Sequence, residues 1–436
     1  MTEQQIAELA PEFTGFLKGL RPCFATDSGF AHLGTYTRGL ASDLPRKSVE
    51  PIALAGGSAV RTLQEFLTFH TWDQNACRDK LQRRVLARHL PAPGRASPAA
   101  GQATSRPSPL DALGVIGLVD ETSAVKKGTK TPGVQRQYCG AVGKIENCVV
   151  TVHLGCLHGD FKCLIDSDLF LPESWSDDRD RCRAAGIPDS QVYRSKWRIS
   201  LEQIQRALGN GIRFDWIIFD EGYGGKPGYL FDLDRLGLHW IGEVPKNFLC
   251  WPTRPAYHSP QAPFAAKRVD NAACWGKPFR KRKWRRFKWK HQTERPAVWL
   301  AKAGRVHLVK DGLPTERKYW LIVAKNEKTG EVKYFVSNAP PKTALKLLLR
   351  VAFSRWHVEH SFRIAKSEIG FSHYEGRHYR GLMRHMILCQ LVMLFLAEQT
   401  SRLRGGKSGA DTGADGQGLQ RTVQSVAGTP LQPIPS

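Results

Sequence analysis

Two short apolar runs, each closed by an aspartate, constrain this chain more than any other feature. Val115-Ile116-Gly117-Leu118-Val119 runs into Asp120, and Trp216-Ile217-Ile218-Phe219 runs into Asp220. Neither run alternates apolar with polar residues. Each therefore predicts a strand buried on both faces, over 114–119 and 214–219, with other layers covering it. A carboxylate at the end of such a strand sits where a sheet opens to a crevice. On neighbouring strands two of them can share divalent metals, and two metals can activate an attacking oxygen and stabilise a leaving oxygen on phosphorus. Taken alone, a solvated acid at a strand end explains each aspartate equally well.

The rest of the pattern makes the chain α/β. Ile6, Leu9, Phe13, Phe16, Leu17 and Leu20 repeat at helical spacing, as do Leu63, Phe66, Leu67 and Trp72. Residues 1–90 thus predict a helical N-terminal domain, either purely packed or DNA-contacting. Residues 91–110, rich in Pro, Ala and Ser, predict a linker. Residues 111–400 predict a mixed body. Its strands fall at 148–154 and 161–171, joined across His158-Gly159-Asp160, and at 318–324 and 332–336. Its helices fall at 200–208, at 343–366 with one break, and at 382–396. Residues 401–436, with their glycines and prolines, predict a disordered tail.

Charge and length exclude several classes. A chain of 436 residues predicts two to three domains at about 150 residues each. Lys and Arg number 64 against 40 Asp and Glu, a net charge of +24, which calls for a polyanionic partner, nucleic acid ahead of a membrane surface. The strongest apolar stretch, 386–396, is short of the roughly 20 residues of a spanning helix, so no membrane role is expected. The polar start Met1-Thr2-Glu3-Gln4-Gln5 is not a signal peptide, and a cytoplasmic protein is expected. Ten cysteines without a Cys-x-x-Cys pair predict reduced thiols rather than a disulfide framework or structural zinc.

Further residues carry chemistry. At about 100° per residue, Arg355, Glu359 and Lys366 fall on one helix face, while Val358, Phe362 and Ala365 fall on another that can dock on a core. One carboxylate flanked by two cations suits a metal-bound phosphodiester; an exposed helix laced with ion pairs has the same spacing. The tract from Arg280 to Lys290 packs eight cations and three aromatics into eleven residues. Arg280, Lys281, Arg282, Lys283, Arg285 and Arg286 can release phosphate counterions, and Trp284 and Trp289 can stack on unpaired bases. Lys126 and Lys127 either grip a DNA strand or form a turn. Trp240 is read as a core residue or as a base-stacking one. Asp160, Asp166 and Asp168 are expected to face solvent rather than hold metal, and His357 and His360 to serve as helix-surface or core partners.

Three blocks in order resemble bacterial insertion-sequence transposases of the DDE superfamily. The first is Asp120-Glu121-Thr122-Ser123-Ala124-Val125-Lys126-Lys127-Gly128, continued by Gly133-Val134-Gln135-Arg136-Gln137-Tyr138-Cys139-Gly140. The second is Phe219-Asp220-Glu221-Gly222-Tyr223-Gly224. The third is the spacing of Arg355, Glu359 and Lys366, similar to a Tyr-Arg-Glu-Lys signature, followed by Gly370–Arg377. The signature's tyrosine position is Ala352 here, and Glu121 and Ala124-Val125 depart from the first block. The resemblance covers about 10–400 without the linker. It implies an RNase H-like catalytic core with a β-rich insertion at about 238–338. It further implies cut-and-paste transposition with two Mg²⁺ or Mn²⁺ ions held by Asp120, Asp220 and Glu359. Arg355 and Lys366 would hold DNA phosphate. The partners implied are double-stranded DNA, at element ends and target, and a second copy in a homodimer on that DNA, in the bacterial nucleoid. A catalytically inactive repressor derived from such an enzyme is the alternative.

Overall fold

The computed structural model describes residues 3–91, 110–255, 266–289 and 297–403. Nearly all of the expected linker and tail lies outside these residues. Five helices come first: α1 (Glu3–Lys18), α2 (Asp27–Ala41), α3 (Val49–Ala55), α4 (Val60–Thr68) and α5 (Gln74–His89). The Thr26 hydroxyl accepts from Gly29 N–H, and the Asp73 carboxylate from Asn75 and Ala76, so side chains cap the starts of α2 and α5. Strands β1 (Ile116–Val125), β2 (Gln135–Cys139), β3 (Lys144–His158) and β4 (Phe161–Leu169) follow. Gly159, at φ 55°, supplies the left-handed residue of the β3–β4 hairpin. Next come α6 (Glu173–Ser176), α7 (Arg179–Ala184) and α8 (Lys196–Gly209), then β5 (Trp216–Phe219), α9 (Glu221–Gly224) and α10 (Pro227–Arg235). The stretch 238–338 is β-rich: β6 (Trp240–Val244), β7 (Leu249–Trp251), β8 (Lys267–Arg268), α11 (Val269–Trp275), α12 (Lys277–Arg280), β9 (Arg285–Trp289), β10 (Ala297–Lys310), β11 (Leu313–Pro314), β12 (Tyr319–Asn326) and β13 (Val332–Ser337). Helices α13 (Leu345–Phe353), α14 (Trp356–Ser367) and α15 (Tyr379–Leu403) close the described chain.

The chain divides into two compact units. One takes 1–111, 120–213 and 357–436; the other takes 112–119 and 214–356. The boundary falls inside β1, between Val119 and Asp120. These units cut across the segments read along the sequence.

In the first unit β2, β3 and β4 form an antiparallel sheet. Helix α8 packs on β3 and β4, and α15 packs on β4, α2, α4 and α5. Phe395 of α15 lies 4.8 Å from the Phe13 ring and 5.6 Å from Phe16, so the N-terminal helices share its core. Helix α15 is longer than its apolar centre suggested. It is long and apolar enough to cross a membrane, yet 83% of that apolar window is buried inside this protein, as in a core helix. Arg384 on α15 is almost fully buried and donates to the carbonyls of Phe66, Leu67 and Trp72. Its guanidinium also lies 4.3 Å from the Trp72 ring centre.

In the second unit the start of β1 pairs parallel with β5, Ile116 beside Trp216, and β5 pairs parallel with β6. From β6 outward the order β13, β12, β10 is antiparallel. Strand β10 then carries β9, β7 and β11. Gly242 of β6 lets the sheet close on Phe219, since a Cβ there would come within 1.9 Å of the Phe219 ring.

Two measurements follow from this packing. Phe395→Ala removes a buried ring and should lower unfolding free energy by about 3–5 kcal/mol in urea melts; a loss under about 1 kcal/mol would contradict the shared core. His153 and His385 are wholly buried, and burial pushes both down to about 3 from 6.5. Below pH 6.5 the unfolded chain binds protons that the folded chain refuses, so stability falls with falling pH. From pH 7 to 5 the two together should cost on the order of 4 kcal/mol, and His153→Gln should flatten the dependence.

Candidate active site and nucleic-acid interface

Asp120 is the fifth residue of ten in β1, not the last. The expectation of a strand end is corrected here: Glu121-Thr122-Ser123-Ala124-Val125 continue extended, although only Ile116–Leu118 pair with β5. Asp120 is 7% exposed, and its carboxylate accepts the Glu121 N–H at 2.7 Å. Lys366 of α14 lies in its field. Burial pushes the Lys366 ammonium down, while Cys139 and Asp120 pull it back up. Glu121 pairs with Lys196, so the second acid of the block already faces a cation. Ser123 accepts from Cys139 Sγ at 3.2 Å and from Ala141 N–H, which ties β1 to the β2–β3 turn.

Asp220 stands where the sequence placed it, directly after β5. It caps α9, its Oδ1 accepting from Gly222 N–H at 3.0 Å. Gly224 is required here, because a Cβ would meet the Glu243 carbonyl of β6 at 1.9 Å. The glycines after Asp220 thus seat its short helix against the sheet.

Glu359 is exposed on α14, which buries Val358, Phe362 and Ala365 on another face as the spacing predicted. Under that face lies His153, 5.0 Å from the Phe362 ring and 5.2 Å from Phe371. Both its nitrogens are held at 2.7 Å, by Thr151 and Ser167. Arg355 departs from expectation. It lies in the Ser354–Arg355 turn between α13 and α14, so the helical-face argument applies to Glu359 and Lys366 but not to it. Among the described residues, no three His, Cys, Asp or Glu side chains are gathered closely enough to hold a metal ion.

Other expected residues find plain structural places. Trp240 is fully buried, donates to Asp234 at 3.0 Å and stacks on Tyr319, so base stacking by Trp240 is excluded in this structure. Asp166 and Asp168 are buried rather than solvent-facing, because Arg206 and Arg194 neutralise them. Lys126 donates to the carbonyls of Ser372 and Tyr374 at 3.0 and 2.6 Å, while Lys127 is exposed. His360 Nδ1 accepts from the Arg363 guanidinium at 2.8 Å, as a helix-surface partner.

The basic tract belongs to the second unit. It runs from α12 through a turn into β9, which among the described residues pairs with β10 alone. Arg280, Lys281, Arg282, Lys283, Trp284, Arg285, Arg286 and Lys288 are all exposed, and Phe287 alone is buried among the residues from 280 to 288. Arg286 pairs with Glu327, and Lys302 sits 4.8 Å from the Trp284 ring centre. Trp275 nearby in sequence is 77% exposed, an aromatic that the charge pattern did not single out.

A family model described as DDE superfamily endonuclease matches residues 19–296. The chain belongs to this family, and its α/β fold is an RNase H-like one with a β-rich insertion; it is an enzyme of the nuclease type. A protein of Microchaete diplosiphon described as a probable transposase for insertion sequence element IS701 is 26% identical over 374 residues, covering 84% of this chain and 82% of that relative.

The exposed tract makes a direct prediction. Replacing Lys281, Arg282 and Lys283 by Ala should reduce the slope of log K against log salt for duplex DNA by about 2.7, or 0.9 per phosphate contact. An unchanged slope in fluorescence anisotropy would remove the tract from the interface.

Proposed function

We propose that this chain is the transposase of a bacterial insertion sequence, cutting the element from flanking DNA and joining its ends to a target. The observation that carries the reading is Asp120. It is a buried carboxylate on a strand that pairs parallel with β5, it shares its field with Lys366, and Asp220 directly follows β5. The related IS701 element protein is described as a probable transposase, which supports the same reading.

DDE superfamily endonucleases use divalent metals. The donor set suits hard cations such as Mg²⁺ or Mn²⁺, since Asp120, Asp220 and Glu359 offer only carboxylate oxygens. These three would hold two ions, although no three such side chains are gathered at one point among the described residues. When bound, such ions polarise the phosphodiester and lower the pKa of an attacking water. The remaining work falls to this chain's own residues. Lys366, partly desolvated, would hold a non-bridging phosphate oxygen, where low dielectric strengthens the contact. Arg355 would hold a neighbouring phosphate bidentately. Water, and later a DNA 3′-hydroxyl, would attack in line, so positioning and charge neutralisation dominate. Two element ends call for a homodimer on DNA, acting in the nucleoid. The third block would then be a variant Tyr-Arg-Glu-Lys signature with Ala352 in place of its tyrosine.

The second reading, a DNA-binding repressor without catalysis, is separated by one assay. Flanking DNA is read for inverted repeats, and such a fragment is incubated with protein and Mg²⁺ or Mn²⁺. Nicking at the repeat boundary is expected, with joining to a second duplex. Asp120→Ala, Asp220→Ala and Glu359→Ala should each abolish nicking and keep DNA binding; Lys366→Ala should slow it by about a hundredfold. Binding without nicking under every metal would establish the repressor instead.

A further inference from the structure

Beyond the end of β1 the first unit holds a groove of about 900 Å³. Three stretches distant in sequence wall it: Pro45-Arg46 before α3, the loop from Val125 to Thr131, and the loop from Ser372 to Arg377 after α14. Five cations line it, Arg46, Lys126, Lys127, Lys130 and Arg377, against one lining carboxylate, Glu375.

The five divide into two roles. Lys126 and Arg46 build the wall. The Lys126 ammonium is bound to the Ser372 and Tyr374 carbonyls, and Arg46 pairs with Glu375. Lys47, itself buried, adds a third tie by donating to the carbonyls of Leu40 and Glu368. Lys127, Lys130 and Arg377 are exposed and make no ion pair among the described residues. The groove is therefore a fixed frame presenting three uncompensated cations. The wall's own groups act on one another: burial and then Arg46 push Lys126 down to about 8, and His373 is lowered by burial and by Arg46, Lys47 and Lys126. Like charges held this close are relieved by an incoming anion.

We propose that this groove is a rail for the phosphate backbone of duplex DNA, contacted by Lys127, Lys130 and Arg377. The inference rests on the transposase reading for its register. Val125 lies five residue steps beyond Asp120 in β1, about 17 Å at 3.3 Å per step. That is about five base pairs, or half a helical turn, at 3.4 Å each. The rail therefore holds the backbone half a turn from the phosphodiester at Asp120. A single small anion would leave most of this volume and two of the three cations unused.

The test uses the full chain with Lys127→Ala, Lys130→Ala and Arg377→Ala combined. These side chains are exposed, so the thermal melt should stay at the wild-type value. As a second variant, Lys130→Glu alone reverses one charge. The probe is a 30-base-pair duplex of random sequence, titrated with salt in EDTA. The triple variant should lose up to about 2.7 from the salt slope. Lys130→Glu should weaken binding at low salt. Ethylation interference on an element-end duplex should show phosphates about five base pairs from the cut whose modification harms the wild type but not the triple variant. Unchanged slopes in both variants would overturn the rail and leave the triad reading intact. A reduced slope in a protein whose wild type never nicks DNA would keep the rail and overturn the transposase reading. Interference confined to the phosphates beside the cut would overturn the half-turn register.

Discussion

A strand with no exposed face needs neighbours on both edges and cover on both sides, and Ile116–Asp120 is such a strand. Its first residues are held by parallel pairing with β5, and β5 by parallel pairing with β6. Gly117 permits this closeness, since a Cβ there would press on the Ile217 side chain at 2.5 Å. The pairing fixes where Asp120 emerges and where β5 stops at Asp220. Each acid is then oriented by backbone N–H groups, Glu121 for one and Gly222 for the other. The chemistry proposed for the site needs carboxylates held in place, and Asp120 and Asp220 are each held by their own local backbone.

The sequence exposed those features that repeat or that concentrate one chemistry. Apolar runs located β1 and β5, helical spacing located α14 and its buried face of Val358, Phe362 and Ala365, and charge density located the tract around β9. Features set by partners distant in the chain stayed hidden. Nothing local said that β1 continues past Asp120. Its later residues are polar and β-branched, and such a stretch is equally a turn until a neighbouring strand claims it. Helical angles do not apply to Arg355, because they assume an unbroken helix and the turn at Ser354–Arg355 precedes α14. Trp240 had to be seen against Asp234 and Tyr319 before its indole could be assigned to the core. Asp166 and Asp168 read as solvated acids in sequence because their partners, Arg206 and Arg194, are 40 and 26 residues away.

The positive charge divides between two tasks. Arg384, Lys47 and Lys126 are turned inward, and each donates to two or more carbonyls at helix or loop ends. Burying a charge this way is costly, and it is tolerated because the carbonyls left at helix and loop ends would otherwise be unpaired. Composition alone credits these cations to a polyanion, although they serve the fold. The tract on β9 and the cations beside the β1 loop remain for outside partners.

Among the described residues strand β9 pairs with β10 alone, and its other side presents a row of backbone donors and acceptors. A bare edge of that kind invites another copy's strand and, with it, aggregation. Here the edge is studded with Arg285, Arg286 and Lys288, and two such edges approaching one another would repel. The protein's protection against self-association is therefore built from the charges assigned to DNA. Neutralising them to weaken binding would also remove the barrier to edge-to-edge assembly, and a saturating polyanion would lower it in the native protein as well.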